Sequence, residues 1–119
     1  MSNFLEMKGN DMTIRVPAEL DHHSAEHIRR EADRILQNRK VSRIFFDFRD
    51  TVFMDSAGIG MILGRYKALQ LVGGKVYAVH VKERVRRILM LSGVHKIIEI
   101  YEDMPEFAKA GQGRNEHGL

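Results

Sequence analysis

The chain reads as a single α/β domain built on a mixed sheet of four to five strands with about four helices packed against it. Three observations lead there. Short extended segments alternate with segments of helical apolar period, giving the order β-β-α-β-α-β-α-β-α. Turn residues fall at nearly every junction between them. The length of 119 residues suits one core and leaves no room for two.

Each element has a local reason. Phe4 to Lys8 and Met12 to Val16 have extended character, and Gly9-Asn10-Asp11 between them marks a hairpin turn. Pro17 lacks an amide donor and closes the second segment. A helix should follow, opened by Asp21 or Ser24, because a short oxygen-bearing side chain satisfies free amides at a helix start. Ala25, Ile28, Ala32, Ile35 and Leu36 then form its apolar stripe. Ser42 to Phe48 is rich in aromatic and β-branched side chains and reads as a buried central strand, with Ile44, Phe46 and Phe48 on one face.

The loop Arg49 to Met54 leads into a second helix from about Ser56 to Val72, stopped by Gly73-Gly74. Lys75 to Val81 is the next strand. Glu83 to Leu91 is the third helix, with Val85, Ile88 and Leu89 inward and Gly93 as its stop. Lys96 to Tyr101 is expected as a last strand, and Pro105 as the first residue of a closing helix. The domain is expected over residues 1–110, with 111–119 as a polar, Gly-rich tail. Strand-helix-strand units point to a largely parallel sheet with right-handed crossovers.

Composition narrows the function. The chain is 44% hydrophobic and 29% charged, an ordinary soluble composition. No apolar run is long enough to cross a bilayer and no signal peptide is evident, so a cytoplasmic location without membrane insertion is expected. The chain has no cysteine, which removes thiol nucleophiles and thiolate metal sites. Its 19 basic residues are interspersed with 16 acidic ones. Arg84, Arg86 and Arg87, the densest basic group, read as the solvated face of a helix, and nucleic-acid binding is not expected.

Catalysis has little to stand on. Asp21-His22-His23 is superficially like a metal phosphoesterase element, but the further Asp and His motifs such a site needs are missing. Ser56 lacks a G-x-S-x-G elbow and an orderable triad. Gly58-x-Gly60-x-x-x-Gly64 misses the dinucleotide fingerprint by one residue, and there is no Walker lysine. No enzyme activity, cofactor or metal is expected.

The informative segment runs from Phe53 to Tyr66. Ser56 stands where a strand-exit loop meets a helix start, a position of unpaired amides and favourable dipole for negative charge. A phosphate on Ser56 would meet that partial positive charge, opposed by the neighbouring carboxylate of Asp55. A plain N-cap role for Asp55 or Ser56 accounts for the same residues. On a helical wheel Ile59, Ile62, Leu63, Tyr66 and Leu69 form a stripe expected to face the sheet. Ala57, Gly60, Met61, Gly64 and Ala68 gather opposite, bordered by Arg65 and Lys67. Each internal glycine costs the helix roughly 1 kcal/mol relative to alanine. Close approach of another surface, a helix of this chain or a partner protein, offsets that cost.

The run F-M-D-S-A-G-I-G-M-I-L-G-R-Y-K, with G-G-K-V and M-L-S-G-V-H-K-I-I after it, closely resembles the anti-sigma F factor antagonists of the STAS-domain family. The early E-L-D-H-H-S-A-E-H-I-R is similar to that family's first-helix segment, and the likeness runs from about Met12 to Tyr101. The resemblance implies a partner-switching regulator. The unphosphorylated form would bind an anti-sigma factor that is also a serine kinase, and so release a sporulation sigma factor. Phosphorylation at Ser56 would weaken the complex, and a serine phosphatase would restore it. Asp21 and Asp55 match the family's acidic positions near that serine. With Ala57, Gly58, Gly60, Met61, Gly64 and Arg65 they are expected to form the docking surface. Ala57 stands where many members carry a second serine, which leaves Ser56 as the modified residue. A STAS module of another circuit, such as the stress-response sigma pathway, is the alternative.

Overall fold

A computed structural model describes residues 3–108. The N-terminal hairpin pairs β1 (Leu5–Lys8) antiparallel with β2 (Asp11–Arg15), turning at Gly9-Asn10. Next come β3 (Glu19–Leu20) and α1 (His22–Asn38), then β4 (Arg43–Asp47) and β5 (Phe53–Met54). They are followed by α2 (Ser56–Gln70), β6 (Lys75–Val79) and α3 (Glu83–Ser92). A short 3-10 turn (Val94–Lys96) and β7 (Glu99–Ile100) follow, and the chain is helical again over 106–108.

The main sheet has the order β1-β2-β4-β6-β7, with every pair after the hairpin parallel. Strands that advance one place at a time through right-handed crossovers keep their helices on one face. The side chains show it. Ile44 and Phe46 of β4 and Val76 and Ala78 of β6 join the core beneath α1, α2 and α3, together with Ile28, Ile62 and Leu89. Their alternates Phe45, Tyr77 and Val79 point to the other face and pack against Ala108, Tyr101 and Met104 of the C-terminal segment. Expected alternation in the central strand is therefore met, with Phe48 just beyond its end at 1% exposure.

Strands β1, β2, β4 and β6 and helix α3 begin or end one or two residues from the sequence reading, and three further boundaries differ as well. The expected strand over Lys96 to Tyr101 shrinks to Glu99–Ile100. Gly93, at φ 85°, turns the chain out of α3, and amide bonds from Lys96 to Gly93 and from Ile97 to Val94 wind the next residues into a 3-10 turn. Helix α2 ends at Gln70, not Val72, because Gly73 at φ 80° lets the Gly74 amide fold back onto the Leu69 carbonyl at 2.8 Å. At the closing helix, Pro105 stands just outside the first helical residue. The tail assigned to 111–119, and its boundary at 110, lie outside the described residues.

A second, two-stranded sheet was not anticipated. β3 and β5 pair in parallel, Glu19 opposite Phe53 and Leu20 opposite Met54. Each strand runs directly into a helix, so this small pairing sets α1 and α2 side by side, starting at the same level.

Candidate functional site

The two helix starts are built alike. Asp21 caps α1 with φ and ψ of −105° and −173°, and Asp55 caps α2 with −103° and −173°. At α1 the cap is reciprocal. The Ser24 amide donates to Asp21 Oδ1 at 3.0 Å and the Asp21 amide donates to Ser24 Oγ at 3.0 Å. The Ser24 amide foremost, and then the Ser24 hydroxyl donating to the same Oδ1 at 3.1 Å, hold the Asp21 carboxyl below the usual carboxylate range. Thus Asp21 and Ser24, posed as alternative openers of the helix, act as a pair. At α2 Asp55 Oδ1 accepts from the amides of Ala57 at 2.9 Å and Gly58 at 3.2 Å. The cap is Asp55, and Ser56 is the first helical residue, exposed to solvent.

Gly58 has a task inside the fold. A Cβ built there would lie 2.7 Å from Leu20 Cδ2 and 3.2 Å from the Leu20 carbonyl oxygen. That same carbonyl accepts the Asp55 amide at 3.1 Å. The absent side chain is what lets the two helix starts approach. Gly58 is buried, so it belongs to the internal α1–α2 junction and not, by its own surface, to an outer docking face.

The expected faces of α2 are rotated in the structure. Its inward stripe is Gly58, Met61, Ile62, Arg65 and Leu69. Met61, expected on the outer face, is 5% exposed and sits in the core. Arg65, expected at the border, is 8% exposed, with Nε 3.2 Å from Asp33 Oδ1 of α1. Burial pulls its guanidinium below its ordinary pKa, and Asp33 opposes the shift. The ion pair lacks hydrogen-bond alignment, and Nε and Nη1 find no hydrogen-bond partner among the described residues. Conversely, Ile59, Leu63 and Tyr66 are only half-buried. The outward ridge is Ser56, Gly60 and Lys67, all exposed, with Ala57 and Gly64 half-buried beside it. A Cβ added to Gly60 or Gly64 would meet nothing within 4 Å, so neither glycine is explained by packing within the described residues.

Between α1 and α2 runs a groove of about 200 Å³, whose lining includes His22, Glu26, Arg29, Ala57, Gly60 and Arg65. Ahead of Ser56 stand two apolar residues that the sequence reading passed over, Val52 at 50% and Phe53 at 48% exposure. No local pattern points to them: it is the pairing of Phe53-Met54 with Glu19-Leu20 that turns Met54 inward and therefore Phe53 outward. The arrangement presents an exposed serine directly after the Asp55 cap, on a ridge with small side chains and preceded in the chain by two exposed apolar ones. Among the described residues no group of three or more His or acidic side chains is placed to hold a metal ion, Asp21-His22-His23 included.

A mixed sheet with α1, α2 and α3 on one face, and the starts of two of them locked together by a short parallel pair, defines a small α/β domain. The chain matches the STAS domain over residues 5–107 and belongs to that family.

Its relatives agree with the expected resemblance. The chain is 38% identical over 92 residues to an anti-sigma F factor antagonist of Paenibacillus polymyxa, covering 77% of this chain and 79% of that one. It is 29% identical over 91 residues to the anti-sigma-B factor antagonist of Bacillus subtilis (strain 168), covering 76% and 82%. Among solved structures it superposes on the unphosphorylated anti-sigma factor antagonist SpoIIAA with a TM-score of 0.78 at 30% identity, covering 97% of this chain and 96% of that one. The phosphorylated form of the Bacillus cell fate determinant SpoIIAA gives 0.70 at 30% identity, covering 90% and 95%.

Proposed function

We propose that this chain is an anti-sigma factor antagonist controlled by phosphorylation of Ser56. In its unphosphorylated form it binds the anti-sigma factor, a serine kinase, and thereby frees a sporulation sigma factor. The kinase then modifies Ser56, the complex loosens, and a serine phosphatase in the same cytoplasmic circuit restores the active form. The observation that carries this reading is the placement of Ser56: exposed, first in α2, next to the Asp55 cap, on a ridge whose glycines have no internal neighbour.

The physics of the switch is local. A phosphate adds about two negative charges. It would arrive beside the carboxylate of Asp55, and the parallel pairing of β3 with β5 brings Asp21, a second carboxylate, to the same end of the helix pair. A weakening of roughly 2–3 kcal/mol corresponds to a tens- to hundred-fold loss of affinity, with no rearrangement of the fold. The docking surface comprises Asp21, Asp55, Ala57, Gly60 and Gly64. Gly58, Met61 and Arg65 support it from within, and Val52 and Phe53 extend it.

The test is intact and peptide mass spectrometry after incubation with ATP and the anti-sigma kinase of the sporulation circuit. One phosphate on Ser56, absent from Ser56→Ala, is expected. An unmodified protein, with the kinase active on its own antagonist, would remove the sporulation assignment. The likeness to the anti-sigma-B antagonist then directs the same assay to the stress-response kinase.

A further inference from the structure

The pole opposite Ser56 carries a surface outside the proposed docking face. Three turns meet there. The Ser42 amide donates to the Asn10 carbonyl at 2.7 Å, the Arg39 guanidinium to the Gly9 carbonyl at 2.9 Å, and the Lys75 amide to the Ser42 carbonyl at 3.0 Å. The hairpin turn, the α1–β4 loop and the α2–β6 loop therefore form one continuous end. Two aliphatic side chains stand out from it, Leu71 at 87% and Val72 at 74% exposure. Lys8, Arg39, Lys40, Lys67 and Lys75 are exposed around them. No acidic residue occurs from Arg34 to Arg43 or from Lys67 to Tyr77. The hairpin's Asp11 is neutralised by Arg43 at 2.7 Å. A cleft of about 550 Å³ opens between the ends of α1 and α2, with Leu36, Leu69 and Val72 in its wall and Arg39 and Lys40 beside them.

Basic residues at helix C-termini complement the helix dipole, and that alone would account for Lys67 and Arg39. It does not account for two adjacent aliphatics left in water, nor for Lys40 and Lys75 outside the helices. A duplex nucleic acid would use the charges but has no place for Leu71 and Val72. An anionic bilayer uses both, with the cations at the headgroups and the aliphatics at the acyl boundary.

We propose that this pole, made of the Leu71–Val72 turn and its ring of lysines and arginine, is a peripheral docking surface for an anionic lipid bilayer. Helix α2 has 15 residues and is about 22 Å long at 1.5 Å per residue, so docking leaves Ser56 facing away from the membrane. The proposal does not rest on the identity of the kinase.

Sedimentation of the full chain with vesicles of about 30% phosphatidylserine in phosphatidylcholine tests it. Binding is expected to these vesicles and not to pure phosphatidylcholine. The double change Lys40→Gln and Lys75→Gln should weaken it about thirtyfold, from about one kcal/mol for each charge. Leu71→Ser with Val72→Ser should abolish it, and thermal melting would verify that these surface variants fold as the parent does. Three outcomes would overturn the proposal: no binding to the anionic vesicles, equal binding to neutral ones, or unchanged binding after loss of both aliphatics. Displacement by duplex DNA with the serine variants unaffected would likewise overturn it in favour of a nucleic-acid surface. Phosphorylation of Ser56 in the serine variants reads the other function separately.

Discussion

Gly58→Ala addresses the joint on which the site depends. The added methyl would stand 2.7 Å from Leu20 Cδ2, 2.8 Å from its Cγ and 3.2 Å from its carbonyl oxygen. Relief is not available by swinging the leucine away, since Leu20 is fully buried. Nor can its backbone retreat without stretching the Asp55 amide bond of 3.1 Å, which ties β3 to the cap of α2. Overpacking of this kind costs about 1–3 kcal/mol. The better helix propensity of alanine returns about 0.5–1 kcal/mol. The balance is a loss centred on about 1 kcal/mol and reaching about 2.5 kcal/mol, with the centre corresponding to roughly 3–6 °C in melting temperature for a domain of this size. Calorimetric melting and urea unfolding measure it. Because the helix starts must separate, affinity for the anti-sigma partner should fall as well, beyond what the unfolded fraction explains. A Gly58→Ala protein as stable as the parent, with unchanged affinity, would refute the close-approach argument.

The two other internal glycines of α2 should behave oppositely. Gly60→Ala and Gly64→Ala meet no atom within 4 Å, so each should stabilise the protein by about 0.5–1 kcal/mol in urea unfolding while weakening partner binding by calorimetric titration. Asp33→Ala strands the guanidinium of Arg65, which is 8% exposed, and should cost about 2–3 kcal/mol in the same unfolding assay. Arg65→Met, which removes the charge and keeps the volume, should stay within about 1 kcal/mol of the parent. Tyr101 donates its hydroxyl to Glu99, and this bond is the main cause lifting its pKa from 10.0 to about 12. A raised folded value means stability fully present below pH 10.0 and lost as pH climbs toward about 12. Tyr101→Phe should flatten that alkaline decline in pH-dependent denaturant titrations.

Much of this protein is written locally. Gly9-Asn10, Pro17, Gly73-Gly74 and Gly93 act on their immediate neighbours, and all of them mark element ends in the structure. The α1 stripe and the β4 alternation were legible because one face of each element is apolar and the other is not. The run from Asp55 to Gly58 identified the loop-to-helix joint, since capping involves only the next three residues.

Helix α2 is a different case. It is apolar nearly all round, so its periodicity does not choose between Ile59–Leu63–Tyr66 and Gly58–Met61–Arg65 as the buried side. The choice falls to the space beside α1, where a glycine is needed against Leu20 and Asp33 can receive a guanidinium. The pairing of Glu19–Leu20 with Phe53–Met54 was equally out of reach, because two-residue strands carry almost no pattern of their own. Sequence alone determined the order of the main-sheet strands and their helices, narrowed the openers of the first two helices to two residues each, and placed Ser56 at the start of the second helix. Tertiary structure decided that Asp21 and Asp55 begin neighbouring helices, that Arg65 is buried, and that lysines from separate loops share a pole with Leu71. The first set depends on residues adjacent in the chain. The second depends on contacts between segments dozens of residues apart, which only the packed sheet brings together.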